Sequence, residues 1–190
     1  MILLVALLLG ATLGWVRGGK VRNLERLRIR YSGAIIFLFV VQAIVRGRPV
    51  PLPWLDTPYR VTIWCIAALL LALLAFANYR VRGFLIVGLG FALNLLVVSL
   101  NRGMPLALGA ALQAGATPES IATGQGAGFY NLISPETALP LLGDVIGLPH
   151  VFGQTGVVLS VGDVLLLVGA AIVVAEGMIL SEGEAVVESN

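Results

Sequence analysis

The chain has 190 residues, of which 58% are hydrophobic and only 12% charged. One soluble core cannot bury that much apolar side chain, so the composition excludes an ordinary water-soluble domain and calls for lipid as solvent. The formal net charge of +2 is too small for a nucleic-acid binder, and nucleic acid is not expected among the partners. The single cysteine, Cys65, rules out an intrachain disulfide and argues against a cysteine metal site. As a small hydrophobe it is expected to pack, and no motif calls for a cofactor.

A hydrocarbon core about 30 Å thick takes roughly 20 helical residues. Apolar runs near 1–16, 32–45, 61–77, 84–100 and 161–180 therefore predict an all-α, polytopic transmembrane helix bundle of about five spans in one domain covering 1–190. Met1–Val16 has no positive segment before it, unlike a cleaved signal peptide, and reads as a retained first span. Ala6, Gly10 and Gly14 lie four residues apart, giving a face on which a neighbouring backbone can come close. Arg17, Lys20, Arg22, Arg26, Arg28 and Arg30 then stand against one acid, Glu25. Positive residues beside short loops stay in the cytoplasm, so the amino terminus is expected outside and the first helix running inward. Leu24, Leu27 and Tyr31 give this stretch an apolar side. That suits a short helix lying on anionic lipid headgroups, although topogenic charge alone also accounts for the arginines.

The second span, Ser32–Val45, carries one strongly polar residue, Gln42, read as a hydrogen-bonding partner for another helix. Pro49, Pro51 and Pro53 make the following connector non-helical, with Trp54 and Tyr59 at the interface. The third span ends at Asn78-Tyr79-Arg80-Val81-Arg82-Gly83, a second basic loop on the side of the first. The fourth span carries Asn94, seven residues and two turns from Asn101 on the same face. From Arg102 the character changes to frequent Gly, Pro and polar residues, and 101–160 is expected outside the cell with short helices inside it. Pro105–Ala114 is apolar but too short to span, so a re-entrant or an interfacial helix is expected between spans four and five. Ser134-Pro135-Glu136-Thr137 has the form of a helix start, with Pro140 limiting its length. Ser160-Val161-Gly162-Asp163 resembles a capping box at the head of the last span, which should run inward to a carboxyl terminus in the cytoplasm carrying Glu182, Glu184 and Glu188.

Asn101-Arg102-Gly103-Met104-Pro105, with Leu141-Leu142-Gly143-Asp144 and Ser160-Val161-Gly162-Asp163, resembles a family of small bacterial multi-span membrane proteins known as a domain of unknown function. The resemblance rests on these elements in the carboxyl-terminal half and on hydrophobicity in the amino-terminal half. It implies a polytopic fold in the bacterial plasma membrane and brings no activity with it.

Asn94, Asn101, Arg102, Asp144, Ser160 and Asp163 form a candidate polar cluster. Asp144, His150 and Asp163, with Glu136, are candidates for acid-base work or metal binding, but no H-x-x-x-H, C-x-x-C or H-E-x-x-H spacing supports them. Each has a simpler reading: Asp163 as a cap, Asp144 in a turn, His150 in an exposed connector. Arg102 is open to two partners, an acid (Asp144 or Asp163) or a lipid phosphate. Glu176, one turn from the end of the last span, can reach the interface. Gly124-Gln125-Gly126-Ala127-Gly128 follows no strand pattern and reads as a turn rather than a dinucleotide loop. Three functions follow in order. The first is a non-catalytic membrane protein, an accessory or structural subunit with other membrane subunits, the bilayer and anionic headgroups as partners. The second is a small transporter or channel, and the third an outer-leaflet enzyme acting on lipid.

Overall fold

The computed structural model describes residues 2–46, 56–117, 119, 121, 129–149 and 156–179. The connector prolines, Trp54, the Gly124–Gly128 run, His150 and the glutamates beyond 180 lie outside the described residues. The chain is mostly helical. Its helices are α1 (Ile2–Val16), α2 (Ser32–Val45), α3 (Thr57–Ala77), α4 (Arg82–Asn101), α5 (Leu108–Gln113) and α6 (Val161–Ile179). α3, α4 and α6 are long and apolar enough to cross a membrane. α1 and α2 are apolar but hold only 15 and 14 residues, about 22 and 21 Å at 1.5 Å per residue. α3 begins four residues before the expected Val61 because Pro58 sits in its first turn, where a missing N–H costs nothing.

α6 is the middle of the bundle, packing on α4 on one side and on α1 on the other, while α3 packs on α4 and α2 on α3. The α1–α6 seam uses the small-residue face anticipated from spacing. Ala6, Gly10 and Gly14 are the buried residues of α1, and a Cβ on Gly10 would run into the backbone of Ala171. Gly10 meets Ala171 and Gly14 meets Ala175 and Met178, so α1 and α6 run parallel. α4 runs against α6, with Gly83 on Gly169 and Val173 and Gly90 on Gly162 and Leu166.

The core forms three layers along the bundle. Ala75, Phe84 and Val173 with Leu27 and Ile29 fill the arginine-rich end. Leu71, Ala72 and Phe91 with Ile35, Leu38 and Leu166 fill the middle, where Phe39 meets Phe91 edge-on at 5.7 Å. Val45, Val61, Trp64, Ala68, Val97, Val98, Met104 and Phe129 fill the far end. The described residues between Asn101 and Ser160 cap that far end. Lys20 and the Asn78–Arg82 loop lie at the other, since the Lys20 N–H donates to Met178 O at 2.9 Å and Asn78 bonds to Arg30.

Four expectations are corrected. The basic segment carries a 3-10 turn, Val21–Arg26, and its Leu24 and Leu27 pack on Gly177 of α6, while Tyr31 stays exposed. The cap is not purely helical. β1 (Met104–Leu106) pairs in parallel with β2 (Tyr130–Leu132), and β3 (Ile146–Leu148) pairs antiparallel with β4 (Val157–Leu159). Frequent Gly and Pro shorten every helix there, and strand pairing then satisfies the backbone. Of the apolar 105–114 stretch only Leu108–Gln113 is helical, because Pro105 belongs to β1. Ser134–Thr137 starts no helix: the Ser134 hydroxyl donates to Glu136 Oε2 at 2.7 Å and the Ser134 N–H to Thr137 Oγ1 at 2.9 Å. Leu139, ahead of Pro140, takes a left-handed conformation at φ 50°, so only a 3-10 turn, Pro140–Leu142, follows.

Candidate functional site

The polar groups of the cap end assemble on the first turn of α6. Gly162 brings α6 so close to α4 that a Cβ there would strike the Asn94 amide. Asn94 Nδ2 donates to Asp163 Oδ1 at 2.9 Å, and the Ser160 hydroxyl donates to Asn94 Oδ1 at 2.8 Å. The Asp163 N–H donates to Ser160 Oγ at 2.9 Å and the Ser160 N–H to Asp163 Oδ2 at 3.2 Å. These last two bonds are a reciprocal capping box. Asn94 joins it to α4, and with Asn94 only 2% exposed each of its polar atoms needs the partner it has. Asn94 thereby holds two helices together.

Asp144 reaches the same neighbourhood from the cap. Its N–H donates to Pro105 O at 2.7 Å and its carbonyl accepts from Ala107 N–H at 3.0 Å, so the backbone is zipped to the end of β1 and the side chain is buried at 6% exposure. Burial pushes its carboxyl up to about 7, helped by the Asp163 anion and opposed by the Arg46 guanidinium. Asp144 thus exchanges its proton near neutral pH beside a fixed cation.

That cation is not Arg102. Arg102 is exposed and left-handed at the end of α4, at φ 54°, and among the described residues it makes no bond to Asp144 or Asp163. Arg46, just past α2, faces the site instead. Its guanidinium carbon lies 5.2 Å from the Trp64 ring centroid and 5.0 Å from that of Phe129. The two rings stand edge to face at 5.2 Å, so the cation is held by both. Among the described residues, Gln42 Nε2, Arg46 Nε, Trp64 Nε1 and Asp144 Oδ1 are buried without a hydrogen-bond partner.

The six predicted cluster residues therefore separate. Asn94, Ser160 and Asp163 share one hydrogen-bonded ring, and Asp144 joins them through charge. Asn101 plays a different part. Its amide donates to Val97 O at 2.8 Å and Ala138 O at 2.9 Å and accepts from Ala138 N–H at 2.9 Å. Its carbonyl takes Asn131 Nδ2 at 2.9 Å, so it pins the cap to the end of α4. Gly103 lies beside this contact at φ 157°, where a side chain would meet Asn131 and Phe129. Glu136 is exposed and bound to Ser134. No group of three metal-ligating side chains occurs among the described residues. Reading the chain alone missed Arg46, Trp64 and Phe129. The available signal was Gln42 and Arg46, four residues apart and so on one face where α2 ends.

At the opposite end Arg17, Lys20, Arg22, Arg28 and Arg30 are exposed and Arg26 is half-buried. Asn78 clips this segment to α3, accepting from Arg30 N–H at 2.7 Å and donating to Arg30 O at 3.1 Å. Glu176 accepts from Gly83 N–H at 3.4 Å, an acid at the positive start of α4.

No curated protein and no solved structure matches the chain. A family model does, over residues 26–175, a range that holds α2 to α5, the whole cap and most of α6. On that match the chain belongs to the family of unknown function DUF5317.

Proposed function

We propose that the protein is a five-pass integral membrane protein without chemistry of its own, an accessory subunit that packs against other membrane helices. Its arginine-rich end faces the cytoplasm, its amino terminus and cap lie outside, and the membrane is the plasma membrane. The carrying observation is the state of the two short helices. α1 uses its small-residue face against α6 and leaves Leu3, Leu4, Leu8, Leu9 and Leu13 about half exposed or more, and α2 likewise exposes Ile36 and Phe37. Both fall short of a hydrocarbon core of about 30 Å, and a short span relieves that mismatch by thinning the bilayer or by associating with other helices. Exposed Trp15, Tyr31 and Tyr79 at the arginine-rich end and Tyr59 at the other suit aromatic belts at two interfaces. The exposed cations beside Trp15 and Tyr31 would meet anionic headgroups.

Two measurements test this. Purification of the intact chain in mild detergent should bring a fixed stoichiometric companion, and a chain that runs alone as a monomer sinks the subunit reading. For orientation, Cys65→Ala removes the native thiol. Leu139→Cys in that background should then react with an impermeant maleimide from outside intact cells and Lys20→Cys should not. The reverse pattern inverts the topology.

A further inference from the structure

The four unpartnered atoms at the cap end are of unequal kinds. Three are donors, Gln42 Nε2, Arg46 Nε and Trp64 Nε1, and one is a carboxyl oxygen, Asp144 Oδ1. Gln42, Trp64 and Asp144 are 8%, 1% and 6% exposed, and leaving such groups unpaired costs about 1–3 kcal/mol each. They border one neighbourhood. Gln42 on α2 and Arg46 just past its end lie one turn apart, Trp64 packs on the Arg46 guanidinium, and Asp144 is near enough to Arg46 for its charge to be felt. Unpaired donors thus outnumber the one unpaired carboxyl oxygen three to one, a demand that an oxygen-rich ligand would meet.

The rings of Trp64 and Phe129 hold the guanidinium and fix it before anything binds, so little side-chain entropy remains to be lost on binding. Arg46 is half-buried while the other three are buried, so a ligand would enter past Arg46, at the end of α2 where a bilayer interface would lie. We propose that this site binds a phosphate-type oxyanion, its oxygens accepting from Arg46, Trp64 and Gln42 and its hydroxyl or Asp144's sharing a proton between them. The oxyanion is either the headgroup of an anionic lipid or free phosphate, and both present the same acceptors to the same donors. Asp163, the other acid felt by Asp144, is already engaged by Asn94 and Ser160.

The test uses the full chain in neutral detergent with Trp15→Phe and Trp54→Phe, so that Trp64 alone reports by fluorescence. Inorganic phosphate and dihexanoyl phosphatidic acid are titrated separately. A saturable change with phosphatidic acid only assigns a lipid headgroup, with phosphate only a free anion, and with both the shared chemistry; any of these supports the site. Arg46→Gln should weaken binding at least tenfold and Gln42→Leu severalfold, with unchanged thermal unfolding in the absence of ligand for the latter. Should Arg46→Gln not fold, Gln42→Leu carries the decision. Asp144→Asn should keep binding and lessen its rise as pH is lowered through 7, the part that remains coming from protonation of the phosphate itself. No saturable change with either probe, or wild-type affinity in every Arg46→Gln and Gln42→Leu protein that folds, overturns the proposal.

Discussion

The two ends of the bundle treat polar groups in opposite ways. At the arginine-rich end the buried amide, Asn78, spends its hydrogen bonds on backbone atoms of Arg30 and Leu74, and most of the cations stand exposed. Asn23 likewise donates to Met178 O at 2.7 Å. At the cap end the amide, Asn94, binds side chains, and next to it lie a buried carboxyl and three unpaired donors. Backbone partners are always present and neutral, so the first end is a latch with one state. At the second end the buried Asp144 carboxyl, pushed up to about 7, can change its charge near neutral pH. Charge at the surface locates a protein, whereas charge in the interior makes it respond to its surroundings.

The largest expected effect follows from Asp144. Its folded carboxyl loses the proton at about 7, against about 4 when unfolded. Between those values the folded state keeps a proton that the unfolded state has released, so the contribution of Asp144 to stability falls as pH rises from about 4 to about 7 and is constant on either side. The upper bound is about 4 kcal/mol. Thermal midpoints in detergent should fall across this window in wild type and stay level in Asp144→Asn. A wild-type midpoint that rises with pH would place Asp144 among ordinary ion-paired acids and remove the contrast between the ends.

Next come the two amides. Asn94→Leu strands the Ser160 hydroxyl and one Asp163 oxygen in the seam between α4 and α6, at a cost of about 2–3 kcal/mol. Asn78→Ala frees backbone groups at the margin of the bundle, where water replaces the lost partner, at about 1–2 kcal/mol. Reversible denaturation in mixed micelles measures both. If Asn78→Ala proves the costlier change, the latch rather than the cap is what holds the bundle.

What could be read beforehand follows the range of the interaction. The bounds of α2, the small-residue face of α1 and the Ser160–Asp163 cap all depend on residues within a turn or two of one another, and the chain displays them directly. β1 and β2 pair residues 26 apart, Met104 with Tyr130, and no local period announces that. Ser134-Pro135-Glu136 misled because the local cap signal was sound while Pro140, a few residues on, left too little helix to cap. Arg46 was missed for a related reason. From the chain it belongs to a proline-rich connector, and only folding brings it to Trp64 and Phe129, the latter 83 positions away by number.

The smallest effect expected is itself informative. Arg102 was a natural choice as the partner of Asp144 or Asp163, being next to Asn101 and close to both in the order of elements. Its left-handed backbone turns the chain out of α4, and its side chain is exposed, so Arg102→Ala should change stability by less than about 0.5 kcal/mol at any pH between 4 and 8. The pH dependence assigned to Asp144 should also be untouched, whereas Arg46→Gln should raise the pH at which the decline in stability ends, because the opposing cation is gone. A shift of that upper limit in Arg102→Ala would mean that both arginines act on Asp144, and the division of labour between an outward cation and an inward one would no longer hold.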